Sequence, residues 1–350
     1  MPTEPRQPDA STPPPAARLP DPPTATRPFQ RLDGVISTET YEGEHGPEVW
    51  RARLPEAQQI VIPSSADGTV QPAMWLPPSG QGLQPLLVVL HSWSAGYDQR
   101  YGIPFGQWGL RNGWGMIHPH YRGEFGTEDG TASDLAVQDV LDAINFAVAQ
   151  GGIQPRLVFV TGYSGGAMMS LVLAGRHPER FAGVAAWVPI HDLTFWYRYN
   201  ESIGSHYADD IVEACGGEPS MSDVARATCT RRSPAAWLDE VRRARVPVYI
   251  GHGLGDVLVP PVHAVAAFNQ LASPHDRIDG ELAAEIGENE LPEPLPPLDA
   301  AHFFGAEDPP VLFARHSGPS TLVLFDGGHA MVINPTLSWM TNLVTQRVTG

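Results

Sequence analysis

Lysine is absent from this sequence, and all 22 of its basic residues are arginine. A chain without lysine cannot form the Schiff base that pyridoxal enzymes use, and it lacks the lysine of a phosphate-binding P-loop. Both kinds of chemistry are therefore excluded, and we expect no cofactor.

Cysteine is scarce as well, since only Cys215 and Cys229 are present. Two thiols without a paired C-x-x-C do not make a zinc site, so we expect no metal centre. Two alternatives stay open for the pair: they are unrelated thiols, or they form a disulfide that closes a polar segment.

Long apolar runs and positive charge are also in short supply. No apolar stretch reaches the roughly 18 residues of a membrane-spanning helix, and the N-terminus has no signal-peptide pattern. The formal net charge is -17, which repels nucleic acid and anionic membranes. We therefore expect a soluble protein, with the cytoplasm favoured, that binds a neutral or cationic small molecule and neither nucleic acid nor membrane. The oligomeric state stays open.

Proline is concentrated near the N-terminus, where ten prolines fall between Pro2 and Pro28. This stretch has few large apolar residues and cannot bury enough surface to fold, so residues 1–30 are predicted to form a disordered tail. The chain is 42% hydrophobic, and residues 31–350 are long enough for one large domain with a substantial core.

The motif G-x-S-x-G at residues 162–166 is the first pointer to chemistry. It follows an apolar run at 157–160 and precedes a helix-like run at 167–174. In a nucleophile elbow, a strand turns sharply into a helix and glycines avoid clashes in the strained turn. We interpret Ser164 as the nucleophile, against the alternative of a glycine-rich turn with a bystander serine.

An acid and a base follow in the order that this elbow requires. Asp256 lies in a loop directly after the strand-like run 246–251, and His329 follows the strand-like run 321–325. A serine hydroxyl needs an imidazole to accept its proton, and the imidazole needs a carboxylate to hold its tautomer. Ser164, Asp256 and His329 are therefore the predicted catalytic triad.

An acyl-transfer reaction also needs donors for the developing oxyanion. We predict that the backbone N–H of Gly165 is one donor and that of Trp93, after the strand-like run 85–90, is the other. Ser92 and the Tyr97 hydroxyl are lesser candidates, and Trp93 alternatively serves only as an aromatic pocket wall.

Strand-like apolar runs alternate with helix-like segments along the chain, which is typical of an α/β fold with a mostly parallel sheet. The predicted strands centre near Leu86, Met116, Val158, Val184, Val248 and Leu322. A helix is predicted from Ser133 to Val148. Asp139 and Asp142 lie on that helix, and we interpret both as solvated or as caps of a neighbouring turn.

Residues 191–229 interrupt this alternation and begin with a cluster of aromatic side chains. An insertion at this point commonly caps the nucleophile, and aromatic walls suit an acyl or sugar-bearing substrate. The predicted substrate contacts are Trp93, Tyr163, Trp196 and Tyr197. The alternative is that the aromatics merely pack the insertion onto the sheet.

A second segment, residues 273–318, is acidic and contains the proline-rich run 291–297. Prolines at that density cannot join a helix or a sheet. We therefore predict a surface insertion.

Several local patterns carry a family resemblance. They are a strand-Ser-x-Asp-Gly hairpin at 60–70, Tyr-Arg-Gly at 121–123, Ser-Pro at 233–234, G-x-x-D-x-x-V-P at 253–260 and Gly-His at 328–329. From about Gln59 onward, the chain resembles the catalytic domain of the prolyl-oligopeptidase-like serine hydrolases and of the acetyl xylan esterase-like enzymes. The resemblance implies the α/β-hydrolase fold and covers about four fifths of the chain.

Two departures from that family bear on function. The family usually has His-Gly-Gly or His-Gly-aromatic where this chain has His91-Ser92-Trp93, which leaves the second oxyanion donor open. The oligopeptidases also carry a β-propeller ahead of the catalytic domain, and fewer than 60 residues precede the resemblance here. We therefore predict a hydrolase of small carboxylic esters. The alternatives are a peptidase acting on short peptides or aminoacyl amides, and a catalytically silent binding protein.

Overall fold

The fold is built on one twisted sheet of nine strands, as seen in a computed structural model that describes Thr38 and residues 45–291 and 309–349. The predicted tail 1–30 and most of the run 291–297 lie outside the described residues. The strands are β1 (Gln58–Pro63), β2 (Val70–Leu76), β3 (Gln84–Leu90), β4 (Gly115–Pro119), β5 (Ile153–Tyr163), β6 (Gly183–Trp187), β7 (Val248–Gly253), β8 (Val311–Ser317) and β9 (Ser320–Phe325).

The sheet order is β1-β2-β4-β3-β5-β6-β7-β9-β8. The six strands from β4 to β9 in this order pair in parallel, whereas β1 with β2, β2 with β4, and β8 with β9 pair antiparallel. The predicted mostly parallel sheet is confirmed. The order reverses between β3 and β5, and the carboxyl ends of strands at such a reversal open a crevice for ligands.

Helices cover both faces of the sheet. In chain order they are α1 (Pro47–Arg53), α2 (Gly102–Asn112), α3 (Asp134–Ala149), α4 (Gly165–Arg176), α5 (Leu193–Ile203), α6 (Tyr207–Cys215), α7 (Asp223–Arg231), α8 (Leu238–Ala244), α9 (Val262–Leu271), α10 (Gly280–Gly287) and α11 (Ile333–Thr349). Short 3-10 turns lie at Pro178–Arg180 and Pro234–Ala236. Across the described residues, no helix combines the length and apolar character needed to cross a bilayer.

The core forms two layers because side chains alternate along each strand. Leu86, Val88 and Leu90 of β3 belong to the layer with α3, α4, α8 and α9. Leu87 and Val89 of the same strand belong to the layer with α1, α2 and α11. Strands buried on both faces read as continuous apolar runs, which is why the central strands could be predicted from the sequence.

The predicted helix from Ser133 to Val148 corresponds to α3. The Ser133 hydroxyl accepts a hydrogen bond from the Ala136 N–H and caps this helix. Asp142 binds a neighbouring turn, as predicted, because its carboxylate accepts hydrogen bonds from the N–H of Ser65 at 2.6 Å and from its hydroxyl at 2.9 Å.

Asp139 corrects the interpretation given to both acids of α3. Its side chain is completely buried, and its Oδ2 lies 2.6 Å from Nε of Arg122. Arg122 also binds Asp67 in the hairpin turn, with 2.7 Å between Nη1 and Oδ2. Asp139 is therefore half of a buried ion pair that fastens the Tyr-Arg-Gly loop, because a buried carboxylate needs a charged partner.

The segment 273–318 also differs from a plain surface insertion. It contributes α10 and the strand β8, which pairs antiparallel with β9 and forms one edge of the sheet. The backbone of β9 offers hydrogen-bond partners at this edge, and these can order a strand whose own apolar pattern is weak.

Candidate active site

The turn from β5 into α4 has the geometry of a nucleophile elbow. Ser164 has φ 59° and ψ -125°, a strained conformation for a residue with a side chain. A Cβ on Gly166 would overlap the carbonyl oxygen of Leu90, and a Cβ on Gly162 would overlap the backbone of Gly166. Only glycine fits at these two positions, so the motif is required by the close approach of the backbone.

Ser164 faces a cavity. Its backbone N–H donates to Trp187 O on β6 at 2.9 Å, which holds the elbow against the sheet. The residue is only 6% exposed, so the turn lifts the side chain into the cavity and not onto the open surface.

Asp256 lies just after β7 and is almost completely buried. Its Oδ1 accepts hydrogen bonds from the N–H groups of Leu258 at 2.9 Å and Val259 at 3.0 Å. Its Oδ2 lies 2.7 Å from Nδ1 of His329 and 3.3 Å from Nε2 of His252. Burial opposes ionisation, but the hydrogen bonds from His252 and His329 outweigh it and hold the pKa of the Asp256 carboxyl well below its usual range.

His329 is brought to Asp256 by two loops that pack closely. The Gly255 N–H donates to Gly327 O at 2.9 Å, and a Cβ on Gly253 would overlap Gly328 O. Since Nδ1 of His329 faces an ionised carboxylate, that nitrogen carries the proton. Nε2 is then left as the acceptor for a hydroxyl.

Two backbone amides lie side by side next to Ser164. The Trp93 nitrogen is 3.0 Å from where a Cβ on Gly165 would sit. Gly165 is the first residue of α4, so its N–H has no acceptor within the helix. Within the described part of the chain, the Trp93 N–H likewise has no acceptor. This arrangement is what an oxyanion hole requires.

The loop after β3 that carries Trp93 is held on both sides of that amide. The Ser92 N–H donates to Gln99 Oε1 at 2.7 Å, and Trp93 O accepts from the Phe125 N–H at 2.8 Å. Ser92 Oγ accepts from Gln99 Nε2 at 2.8 Å. Gln99 was not foreseen from the sequence, because nothing in its neighbourhood marks it as a loop anchor.

The lesser oxyanion candidates are less well placed to donate. Ser92 lines the cavity, but its backbone N–H already donates to Gln99 Oε1. The Tyr97 hydroxyl accepts from Gln59 Nε2 at 2.9 Å on β1, and Tyr97 lies outside the described lining. Both observations favour the Trp93 amide.

The cavity has a volume of about 460 Å³ and brings most of the predicted residues together. Its described lining consists of His45, Ser92, Trp93, Ser94, Gln99, Tyr163, Ser164, Trp196, Tyr207, Leu258, Val259 and His329. Three of the four predicted substrate contacts, Trp93, Tyr163 and Trp196, are among them. The sequence analysis did not predict Tyr207 as a lining residue. It lies on α6, one helix after Trp196, and only the folding of the insertion brings it to the cavity.

Tyr197 is the exception, and its prediction as a substrate contact is corrected here. Its side chain is buried outside the described lining, and its hydroxyl donates to Glu201 Oε1 at 2.9 Å. Successive residues of a helix point about 100° apart, so α5 cannot aim both Trp196 and Tyr197 into one cavity.

The insertion 191–229 forms α5, α6 and α7, and Cys215 and Cys229 form a disulfide within it. Trp196 Nε1 donates to Leu258 O at 2.9 Å, and its ring meets that of Trp93 edge-on at 4.9 Å. The two alternatives for Trp196 therefore both hold, because the side chain packs the insertion and also lines the cavity.

The described sheet and its flanking helices have the α/β-hydrolase fold. Residues 120–289 match the prolyl oligopeptidase family. An acetylxylan esterase of Coprinopsis cinerea is 26% identical over 191 residues, which are 51% of this chain and 44% of that protein. Feruloyl esterase B of Talaromyces stipitatus is 24% identical over 237 residues, which are 61% of this chain and 59% of that protein. The chain thus spans about half the length of these curated relatives.

A solved structure of a Mycobacterium tuberculosis puromycin-hydrolyzing peptidase shares the fold, with a TM-score of 0.53 at 16% identity over 83% of this chain and 39% of that one. The predicted resemblance to the prolyl-oligopeptidase-like and acetyl xylan esterase-like α/β hydrolases is confirmed by the family match over residues 120–289 and by the esterases among the similar proteins.

Proposed function

We propose that this protein is a serine hydrolase that cleaves carboxylic esters through an acyl-serine intermediate. The single observation that carries the proposal is the arrangement around one cavity: Ser164 on a strained elbow and His329 both line it, buried Asp256 binds His329, and the Trp93 amide lies beside that of Gly165.

In the proposed reaction, Ser164 Oγ attacks the ester carbonyl carbon while its proton passes to Nε2 of His329. The oxyanion accepts hydrogen bonds from the Trp93 and Gly165 N–H groups. The C–O bond to the alcohol then breaks, and the alcohol takes the proton from His329. Water next adds to the acyl-serine with His329 as base, which releases the carboxylic acid and restores Ser164. Asp256 holds the imidazole in the required tautomer throughout.

The lining of the cavity favours an ester of a neutral substrate. The described lining includes hydroxyl, amide and aromatic groups but neither a carboxylate nor an arginine. A substrate with a free amino terminus would leave its ammonium without a charged partner, which is costly in a desolvated site. The names of the two esterase relatives point the same way.

A peptidase is the second candidate, and one similarity favours it. An acylamino-acid-releasing enzyme of rice is 27% identical over 143 residues, which are 37% of this chain and 18% of that protein. Turnover of p-nitrophenyl acetate beside an aminoacyl nitroanilide separates the two. Faster turnover of the ester is expected, and hydrolysis of the nitroanilide alone would overturn the ester proposal.

Replacement of the proposed nucleophile tests the reaction itself. Ser164→Ala is expected to reduce ester turnover by about a million-fold, because the acyl-serine can no longer form. Ser202→Ala, on the exposed side of α5, serves as the control and should retain wild-type turnover. A fluorophosphonate probe should label Ser164. Turnover by Ser164→Ala above about a thousandth of wild type would assign the nucleophile elsewhere, and a wild-type protein inert to esters, amides and probe would be a silent binding homologue.

A further inference from the structure

The side chain of the tryptophan at the proposed oxyanion hole is held mainly by the insertion. Trp93 is only 3% exposed, and its Nε1 donates to Oδ2 of Asp210 on α6 at 2.9 Å. Its ring meets Trp196 of α5 at 4.9 Å and Tyr207 of α6 at 6.2 Å. The remaining ring contact, Phe125 at 5.1 Å, comes from the loop after β4. Three of these four partners thus belong to the insertion.

Asp210 is itself fixed from two sides. The loop after β4 approaches it at Gly126, where an added Cβ would lie 3.1 Å from the Asp210 side chain and where φ is +93°. At the other end of α6, the disulfide joins Cys215 to Cys229 of α7. The carboxylate therefore has little freedom to move away from the Trp93 indole.

The indole bond bears on the backbone amide of the same residue. The backbone around Trp93 is anchored through Ser92 N–H, Ser92 O and Trp93 O, the second lying 2.9 Å from Nδ1 of His91. These contacts set the direction of the Trp93 N–H, but its position also depends on where the Trp93 Cα lies. Loss of the acceptor leaves this indole N–H unpaired and favours a shift of the side chain. Because Phe125, Trp196 and Tyr207 enclose the ring, the ring cannot turn freely in place, and a shift displaces the Cα and the backbone N–H with it. Small displacements matter because oxyanion donors act only over a narrow range of distance.

We propose that Asp210 is a positioning residue that holds the Trp93 amide in the oxyanion hole, so that the insertion is part of the catalytic apparatus. This inference rests on the proposed function, in which the Trp93 N–H is the second oxyanion donor.

Replacement of Asp210 tests the inference, because loss of a positioning residue should lower kcat more than it changes KM. Asp210→Ala is expected to lower kcat for p-nitrophenyl acetate about ten- to hundredfold, less than the full loss of an oxyanion donor, while KM changes less than about threefold. Asp210→Asn keeps an acceptor oxygen and should retain most of the activity. Asp209→Ala, an exposed neighbour on the same helix, is the matched control and should leave kcat unchanged.

A double-mutant cycle assigns the effect to the indole bond. Trp93→Phe removes the N–H but keeps a ring, and should lower kcat to a similar extent. The Asp210→Ala and Trp93→Phe double variant should be no slower than the slower single variant, because both changes break the same bond. Thermal melts on all variants identify any loss of folding, and the rate of Ser164 labelling by a fluorophosphonate should follow the order of the kcat values.

The outcomes are distinguishable. A kcat for Asp210→Ala equal to that of Asp209→Ala, multiplicative effects in the double variant, or a loss confined to KM would overturn the positioning role and leave the ester hydrolase in place. A wild-type protein that neither hydrolyses esters nor reacts with the probe would overturn the proposed function, and the role of Asp210 with it.

Discussion

The carboxylate of Asp256 is held in place for its proposed role by hydrogen bonds to both of its oxygens. Four donors surround its carboxylate: two backbone N–H groups on Oδ1 and two histidines on Oδ2. Nε2 of His252 also lies 2.8 Å from Val259 O, so this nitrogen faces only acceptors and must carry the proton. His252 is a partner of the acid that sequence reasoning missed, although its position four residues before Asp256 was a usable signal.

Replacement of this acid should act through the tautomer of His329. In Asp256→Asn, the amide oxygen can keep the bonds from Leu258 and Val259, and the amide nitrogen then faces His329. That nitrogen can only donate, so the imidazole proton moves to Nε2, where it blocks acceptance of the serine proton. We expect kcat to fall by about 10⁴ with little change in KM, as measured on p-nitrophenyl acetate.

The comparison for this variant is Asp326→Asn, which changes an exposed acid three residues before His329 and should leave kcat near wild type. Near-normal turnover by Asp256→Asn would mean that another acid orients the base.

At the scale of elements, the insertion of α5, α6 and α7 connects two loops that are far apart in the sequence. It contacts the loop after β3 through Trp93 and Asp210, and the loop after β7 through Trp196 and Leu258. The Tyr199 hydroxyl adds a bond to Val257 O at 2.6 Å. Within this unit the disulfide joins Cys215, at the C-terminal end of α6, to Cys229 of α7. Such bonds are typical of oxidising compartments, whereas the sequence alone favoured the cytoplasm.

Removal of the disulfide should loosen the insertion locally. Its two cysteines are 14 positions apart, and a bond closing a loop of about 15 residues contributes roughly 3 kcal/mol. In the Cys215→Ser, Cys229→Ser double variant we expect trypsin to cut faster within α7, where Arg226 and Arg231 are its targets. Mass spectrometry of the fragments identifies the sites.

Reductant provides the control for this prediction. It should sensitise the wild-type protein to trypsin and leave the double variant unchanged. Equal cleavage rates for oxidised wild type and the double variant would show that the bond does not stabilise α7.

At the scale of the whole molecule, buried histidines make the fold sensitive to acid. His91 and His118 are completely buried. Burial lowers the pKa of His91 to about 4 and that of His118 to about 3. The unfolded chain therefore binds protons on both residues at a higher pH than the folded chain does.

Stability should consequently fall as the pH drops from about 6.5 towards 4, since the unfolded state binds more protons throughout this window. At pH 4.5, each of the two histidines should lower the free energy of unfolding by on the order of 3 kcal/mol. Melting temperatures measured from pH 7 to 4.5 test this and avoid the titration of most carboxyl groups.

His118→Gln should flatten the dependence of melting temperature on pH, whereas His275→Gln, at an exposed position, should not. Parallel curves for wild type and His118→Gln would show that His118 is not a source of the acid sensitivity.

The sequence by itself determined the central strands and the order in which the candidate catalytic residues follow them. Strands such as β3, β5 and β9 are buried on both faces, so their sequences are nearly continuous apolar runs. Ser164, Asp256 and His329 each directly follow such a strand, and parallel strands end at the same edge of a sheet. Local sequence was therefore sufficient to predict that Asp256 and His329 lie close together, and the two side chains are 2.7 Å apart between Oδ2 and Nδ1.

Only the tertiary structure decided features that depend on partners distant in the chain. The sequence indicated a solvated Asp139, but in the folded chain the loop after β4 places Arg122 beside it. The segment of β8 forms a strand because the edge of β9 is available for pairing. The pairing of Cys215 with Cys229 required the packing of α6 against α7. The choice between Trp196 and Tyr197 likewise depended on how α5 is rotated against the sheet. None of these contacts can be predicted from the residues adjacent in the sequence. Each depends on the free energy of burying surfaces that the chain brings together only when it folds.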